Sequence, residues 1–271
     1  MMGPTHALTG ALAWPAAAGL TTTLLHRTQT PVELAIYTAV CAGAALLPDM
    51  DCSGKVMTNR GGATVARTFG VFSLFLAECI EKLALAVYLV SHTRKDGKRR
   101  NGHRTFTHTW VFAALLGFGV AKLAARFGDP VLIGVLFFTV GLAVRGLMAD
   151  WARRSGWLLT TLVGVSATIL ALQVLPEGVD PVLLGASIGV GCLVHTLGDM
   201  ITRAGCPVLW PVPIAGQLWF EFALPDPIAV RAGGRFETAA LRPLLTLALL
   251  AAVAWQVPTL RGHLIDFLPR S

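Results

Sequence analysis

Charge is scarce in this chain. Only 14% of its 271 residues are Asp, Glu, Lys or Arg, against 54% hydrophobic. A soluble domain of this length could not hide so much apolar surface. Cysteine is equally uninformative as a scaffold. The five thiols (Cys41, Cys52, Cys79, Cys192, Cys206) form no CxxC pair and no even framework, which excludes a disulfide-stapled fold and a Cys-rich structural zinc site. The N-terminus has no basic stretch followed by a cleavage pattern and a soluble domain, so a signal peptide is not expected. Internal repeats and low-complexity tails are also missing.

What is present is a series of long apolar runs. Segments 7–25, 32–48, 108–126, 131–149, 157–175, 182–201 and 241–257 each approach the roughly 20 residues needed to cross a bilayer. The expected fold is all-α: one integral membrane domain over 1–271, a polytopic transmembrane helical bundle of about seven spans. An eighth apolar segment, 69–91, carries Glu78, Glu81 and Lys82 at its centre. Three ionisable groups at mid-bilayer are costly, so this segment is expected to be interfacial or re-entrant.

The basic residues give an orientation. If 69–91 does not cross, the loops 49–68 and 92–107, the loop after 149 and the stretch 202–240 share one side. That side then holds 16 of the 22 Lys and Arg. Lys82 belongs to the interfacial segment, and Arg27, Lys122, Arg126, Arg261 and Arg270 fall opposite. The positive-inside rule makes the crowded side cytoplasmic, with the N-terminus inside and the C-terminus outside. The net charge of +7 then reflects this bias and contact with anionic lipid headgroups, not nucleic-acid binding. The loop 92–107 reads as a basic cytoplasmic loop, and 202–240 as a cytoplasmic lid or docking surface.

Four motifs fall at that same face: His6 at the start of the first span, "LLPDMD" (46–51), "HRTFTH" (103–108) and "HTLGD" (195–199). Residues four apart on a helix lie about 40° apart on one face, so His195 and Asp199 can share a metal ion. His103 and His108 are five apart, a poor helical pairing. The expectation is that Thr105 or Thr107 caps a helix with His108 in its first turn and His103 on the loop before it. Pro48 should end the preceding helix and leave Asp49 and Asp51 on irregular backbone. Imidazoles and carboxylates without a thiolate cluster suit Zn, Mn or Fe. The ligands outnumber the needs of one tetrahedral ion, and two-metal sites commonly hydrolyse phosphate esters. Arg104, always charged, can hold a phosphate oxygen. Glu78 and Glu81 are further candidates as supporting groups or bases. His26, His92 and His263 have no companion carboxylate motif.

Together, "TH" at 5–6, "LLPDMD", "HRTFTH" and "HTLGDMITRAGCPVLWP" resemble the YdjM-like family of bacterial inner-membrane metal-dependent hydrolases, over residues 5 to about 213. The resemblance implies metal-binding or catalytic roles for His6, Asp49, Asp51, His103, His108, His195 and Asp199. Within that set, His108, His195, Asp199 and Asp49 are expected to hold metal. Asp51, His6 and His103 complete a second site or act as base and acid, and Arg104 meets the anionic group. The expected cofactor is a divalent metal, Zn or Mn, as one ion or two. Cys52 departs from the pattern, where His or a polar residue is expected, and so does Thr109, where Ser is common. The basic stretch 92–102 is longer than the pattern requires. The last motif is also similar to the helix of zinc-dependent phospholipases C, in which a His and an acidic residue four later share a metal. Type 2 phosphatidic acid phosphatases are set aside, because they need an Arg where this chain has Gly189 and a PSGH-like motif that it lacks.

The expected function is therefore metal-activated water attacking a phosphoester, of a membrane lipid or a membrane-proximal substrate, at the cytoplasmic face of the inner membrane. The alternatives are a metal or ion transporter using the same ligands, and a lipid- or partner-binding scaffold with a structural metal. A transporter should carry its ligands near mid-bilayer, whereas these cluster at one end.

Overall fold

The computed structural model describes residues 1–52, 65–175 and 179–257. These residues form eight α-helices and no strand: α1 Gly3–Leu25, α2 Pro31–Ala44, α3 Gly70–Ser91, α4 Trp110–Phe127, α5 Asp129–Leu147, α6 Ala149–Val174, α7 Pro181–Met200 and α8 Arg242–Gln256. Short 3₁₀ turns occupy Pro48–Asp51, Val65–Arg67 and Phe106–His108, and a π-helical turn, Glu237–Leu241, leads into α8. Lys55, Arg60, Arg261, His263 and Arg270 lie outside the described residues.

Local sequence sets the helix starts. Thr30 and Glu33 form a reciprocal capping box ahead of Pro31. Asp180 caps α7 by accepting from the Val182 and Leu183 amides, again with proline next. Gly128, at φ 63°, separates α4 from α5, a conformation that costs glycine little.

Six segments are long and apolar enough to cross a membrane: Pro31–Asp51, Trp110–Phe127, Asp129–Leu147, Ala149–Val174, Pro181–Met200 and Glu237–Gln256. They correspond to six of the seven expected spans. The seventh, α1, has 23 residues, or about 35 Å of helix, but is not among the six. The expected span at 157–175 begins earlier, in α6, with a break at Gly156 (φ 79°). α3 is not among the six. It packs against the three 3₁₀ turns, and its Lys82 pairs with Glu78 at 3.1 Å one turn back.

The helices approach closely where glycine removes the side chain. A Cβ at Gly117 of α4 would stand 2.7 Å from the Gly185 carbonyl of α7, and one at Gly185 would stand 2.4 Å from the Gly117 carbonyl. Small residues permit this backbone contact, which is how helices associate in lipid. α4 starts and α7 ends at the same end of the bundle, so the pairing brings His108 to His195. The stretch 202–240 folds over that end. Val208 accepts from the Trp110 amide, and Cys206 and Phe222 exchange backbone hydrogen bonds. Asp96 ties it to the loop 92–107 by accepting from the Thr93, Leu218 and Trp219 amides.

Candidate metal centre

The four motifs meet at one end of the bundle. His6 comes from the first turns of α1, and Asp49 and Asp51 from the 3₁₀ turn after α2. His103 and His108 come from the loop and turn before α4, and His195 and Asp199 from the last turns of α7. His6, Asp51, His108, His195 and Asp199 are buried. The side chains of Asp49, His103 and Arg104 keep 20%, 33% and 16% of their surface accessible, so these three form the open rim.

At the centre, His108 Nε2 and His195 Nε2 face each other at 3.2 Å. The partners of the opposite ring nitrogens define the tautomers. His195 Nδ1 lies 2.7 Å from the Ala45 carbonyl oxygen, which can only accept, so Nδ1 carries the proton. His108 Nδ1 lies 3.0 Å from Thr107 Oγ1 and 3.3 Å from Asp51 Oδ2. The Thr107 hydroxyl donates to Asp51 Oδ2 at 2.5 Å, so it accepts from His108. With both rings neutral, the two Nε2 atoms turn lone pairs toward each other inside a buried site, an arrangement that suits a cation between them.

Two carboxylates complete the cage. Asp49 Oδ1 is 3.6 Å from His108 Nε2 and 3.7 Å from His195 Nε2. Asp199 Oδ2 is 3.5 and 3.7 Å from the same two atoms. Four ligands at the roughly 2.0–2.1 Å typical of zinc stand about 3.3 Å apart in a tetrahedron. Five of the six edges here run from 3.2 to 3.7 Å. Asp49, His108 and His195 together could hold a small divalent ion, and Asp199 stands within reach of the same two imidazoles.

Around this centre lies a second layer of partners. Asp51 Oδ1 accepts from His103 Nδ1 at 2.7 Å, and Asp51 Oδ2 accepts from the Arg104 amide at 3.1 Å. Asp51 thus orients His108 as a carboxylate behind a metal-binding imidazole does. Arg104, at φ 56°, places its guanidinium 3.1 Å from Asp199 Oδ1 and donates to the Gly205 carbonyl at 3.1 Å. His6 stacks on His195 at 3.8 Å, with its Nε2 3.3 Å from Asp199 Oδ1. Both His6 ring nitrogens are buried without a hydrogen-bond partner, and buried polar atoms in that condition point to a missing ligand. Asp199 Oδ1 also lies 2.5 Å from the Met1 amino nitrogen.

Three overlapping groups could hold a metal ion: Asp49, His108 and His195; His6, His195 and Asp199; and Asp49, Asp51, Cys52 and His103. Every metal residue expected from the sequence belongs to at least one of them. The model of the YdjM inner membrane protein family matches residues 1–160. The chain belongs to this family. The YdjM match includes His6, Asp49, Asp51, His103 and His108; His195 and Asp199 lie beyond it and join the set through geometry. No curated protein and no solved structure matches the chain.

Some expectations need correction. His108 is not in the first turn of α4. It closes a 3₁₀ turn, and Thr109 caps the helix by accepting from the Phe112 amide at 3.1 Å. Neither Thr105 nor Thr107 caps: Thr105 donates to the Ala84 carbonyl of α3, and Thr107 serves Asp51. Outside the three groups, the Glu81 charge still acts on the Cys52 thiol, as a supporting group's would. Three participants escaped the sequence reading. Cys52 Sγ is 3.0 Å from His103 Nδ1, and its position directly after Asp51 was the available signal. Thr107 lay inside a quoted motif. The Ala45 carbonyl was foreshadowed by Pro48, since a broken helix leaves carbonyls free.

Proposed function

We propose that this protein is a metal-dependent hydrolase acting on a phosphoester, that of a membrane lipid in particular, at the cytoplasmic face of the inner membrane. One observation carries the reading: two buried imidazole Nε2 atoms 3.2 Å apart, each within 3.7 Å of two carboxylates. His108, His195, Asp49 and Asp199 would hold a Zn or Mn ion. A bound divalent ion supplies Lewis acidity toward water and toward a phosphoryl oxygen.

The residues around it have separable tasks. Asp51 and Thr107 keep His108 in the tautomer that offers Nε2. His103, on the rim and hydrogen-bonded to Asp51, takes and returns a proton as general acid and base. The Arg104 guanidinium reaches an anionic oxygen from the same rim. The basic loops support the cytoplasmic orientation. The gathering of all these groups at one end of the bundle favours hydrolysis over conduction, which needs ligands along a path.

The test is metal content and phosphate release measured on the same full-length sample in detergent. The His195→Ala, Asp199→Ala double variant is expected to lose the bound ion by elemental analysis and to stop releasing phosphate from phosphatidate in mixed micelles. Unchanged metal content in the double variant overturns the metal assignment. Full metal without phosphate release in the wild type, across phosphoester substrates, overturns the activity.

A further inference from the structure

Next to the metal centre is a cavity of about 330 Å³, at the lower end of ligand-pocket sizes. Its walls are apolar. α3 contributes Ile80 and Leu83, α4 contributes Phe112, Leu116 and Val120, and α5 contributes Gly134 and Phe138. Only two lining residues carry a hydroxyl, and neither hydroxyl is free. Thr107 donates to Asp51, and Thr139 donates to the Val135 carbonyl. A wall with nothing to offer water suits hydrocarbon.

Position and direction identify the hydrocarbon. Thr107 lines the cavity and hydrogen-bonds Asp51 beside the metal ligands. Met50, between Asp49 and Asp51, also lines it. From that polar end the cavity follows α4 from Phe112 to Val120, eight residues or about 12 Å along the helix axis. α4 is a membrane-crossing segment, so this direction is that of a lipid tail whose head lies at the bundle's end. Leu83 lines the cavity and is 59% exposed on the outer surface. The space therefore opens sideways from the bundle, where a bilayer lipid can enter without leaving the membrane.

We infer that this cavity holds an acyl chain of a lipid whose phosphorylated head is presented to the His–Asp cluster. The inference rests on the phosphoester reading above and adds where the substrate is gripped. Gly134 gives it a clean test. A Cβ there meets nothing within 4 Å, so a larger side chain has room to start at the cavity wall.

The experiment uses the full chain in phosphatidylcholine nanodiscs. One probe is phosphatidate bearing a diazirine in one acyl chain; the other is phosphatidylcholine bearing the same chain. After irradiation, labelled peptides are mapped by mass spectrometry. The phosphatidate probe is expected to label α3, α4 and α5 lining peptides in clear excess over the phosphatidylcholine probe. Gly134→Phe should lower that labelling about tenfold, the effect of excluding roughly two methylenes, with bound metal per protein unchanged. Equal labelling by the two probes in the wild type overturns the inference, and that contrast needs no variant. Undiminished labelling in a metal-loaded Gly134→Phe protein overturns it as well. Head-dependent labelling in the cavity without phosphate release leaves the chain site standing and removes the hydrolase. Phosphate release with head-independent labelling does the reverse.

Discussion

The two ends of the bundle treat polar groups in opposite ways. At the end away from the metal-binding candidates, polar side chains form a linked set of hydrogen bonds. Trp14 donates to Gln29, Gln29 to Thr21, and Thr21 to the Ala18 carbonyl, at 2.9, 2.8 and 2.8 Å. The Tyr37 hydroxyl accepts from the Asp180 amide at 2.9 Å, and the Asp180 carboxylate caps α7 and pairs with Arg27 at 2.9 Å. At the other end, the facing Nε2 atoms of His108 and His195, two carboxylates and a buried His6 without hydrogen bonds crowd together. The first end is closed and structural. The second gathers buried titratable groups from four parts of the chain, and the ring nitrogens of one of them, His6, lack hydrogen bonds; buried groups in that condition point to a ligand. Polarity alone does not separate the two ends; the concentration of buried titratable groups does.

The comparison breaks most clearly when the cation is removed. Chelation should lower thermal stability by about 4 kcal/mol if the free ion stands near 1,000 times its Kd. Unfolding followed by circular dichroism, with ion added back, measures this. A melting temperature indifferent to chelator would mean that both ends are merely structural. Next in size is Asp51→Asn, which keeps the shape but weakens the hold on His108 and His103. Metal affinity should fall about 10- to 100-fold, read by competition with a chelating dye.

Asp180→Ala supplies the opposite control. Losing this cap should cost about 1 kcal/mol and leave metal affinity untouched; a change in metal binding would show that the ends are coupled. The smallest effect concerns the clasp over the metal end. Burial pushes the Asp96 carboxyl up, but the Thr93, Trp219 and Leu218 amides outweigh it and hold the group below the usual 3.8. A carboxyl lowered by folding contributes stability above its ordinary value and loses it as pH falls through the lowered one. Proteolysis within 202–240 should therefore quicken modestly in Asp96→Ala at neutral pH, and the wild type should approach that variant only in acid below 3.8. Equal cleavage of both at neutral pH would show that Asp96 does not hold the clasp.

Much of this was legible in the sequence because membrane folding leaves strong marks. Apolar run length gave six of the crossing segments, and the charges in 69–91 separated α3 from them. The i, i+4 pair of His195 and Asp199 gave half of the candidate metal cluster, since helix geometry fixes that relation locally. What remained hidden depended on long-range packing. Which aspartate of "PDMD" faces the imidazoles and which one braces them depends on a 3₁₀ turn whose phase the sequence does not state. The role of Thr107 follows from Asp51 arriving beside it, 56 residues away in the chain. The α4–α7 contact through Gly117 and Gly185 is equally non-local.

The interruption of α2 has a chemical result. Had that helix continued, the Ala45 carbonyl would have accepted from the amide four residues on. Pro48 and the turn it starts release that oxygen, and it instead takes the proton of His195 Nδ1. A flaw in one helix thus decides which nitrogen on another is basic. Repairing it with Pro48→Ala is the substitution that would make the helix more regular and the ring across from it ambiguous.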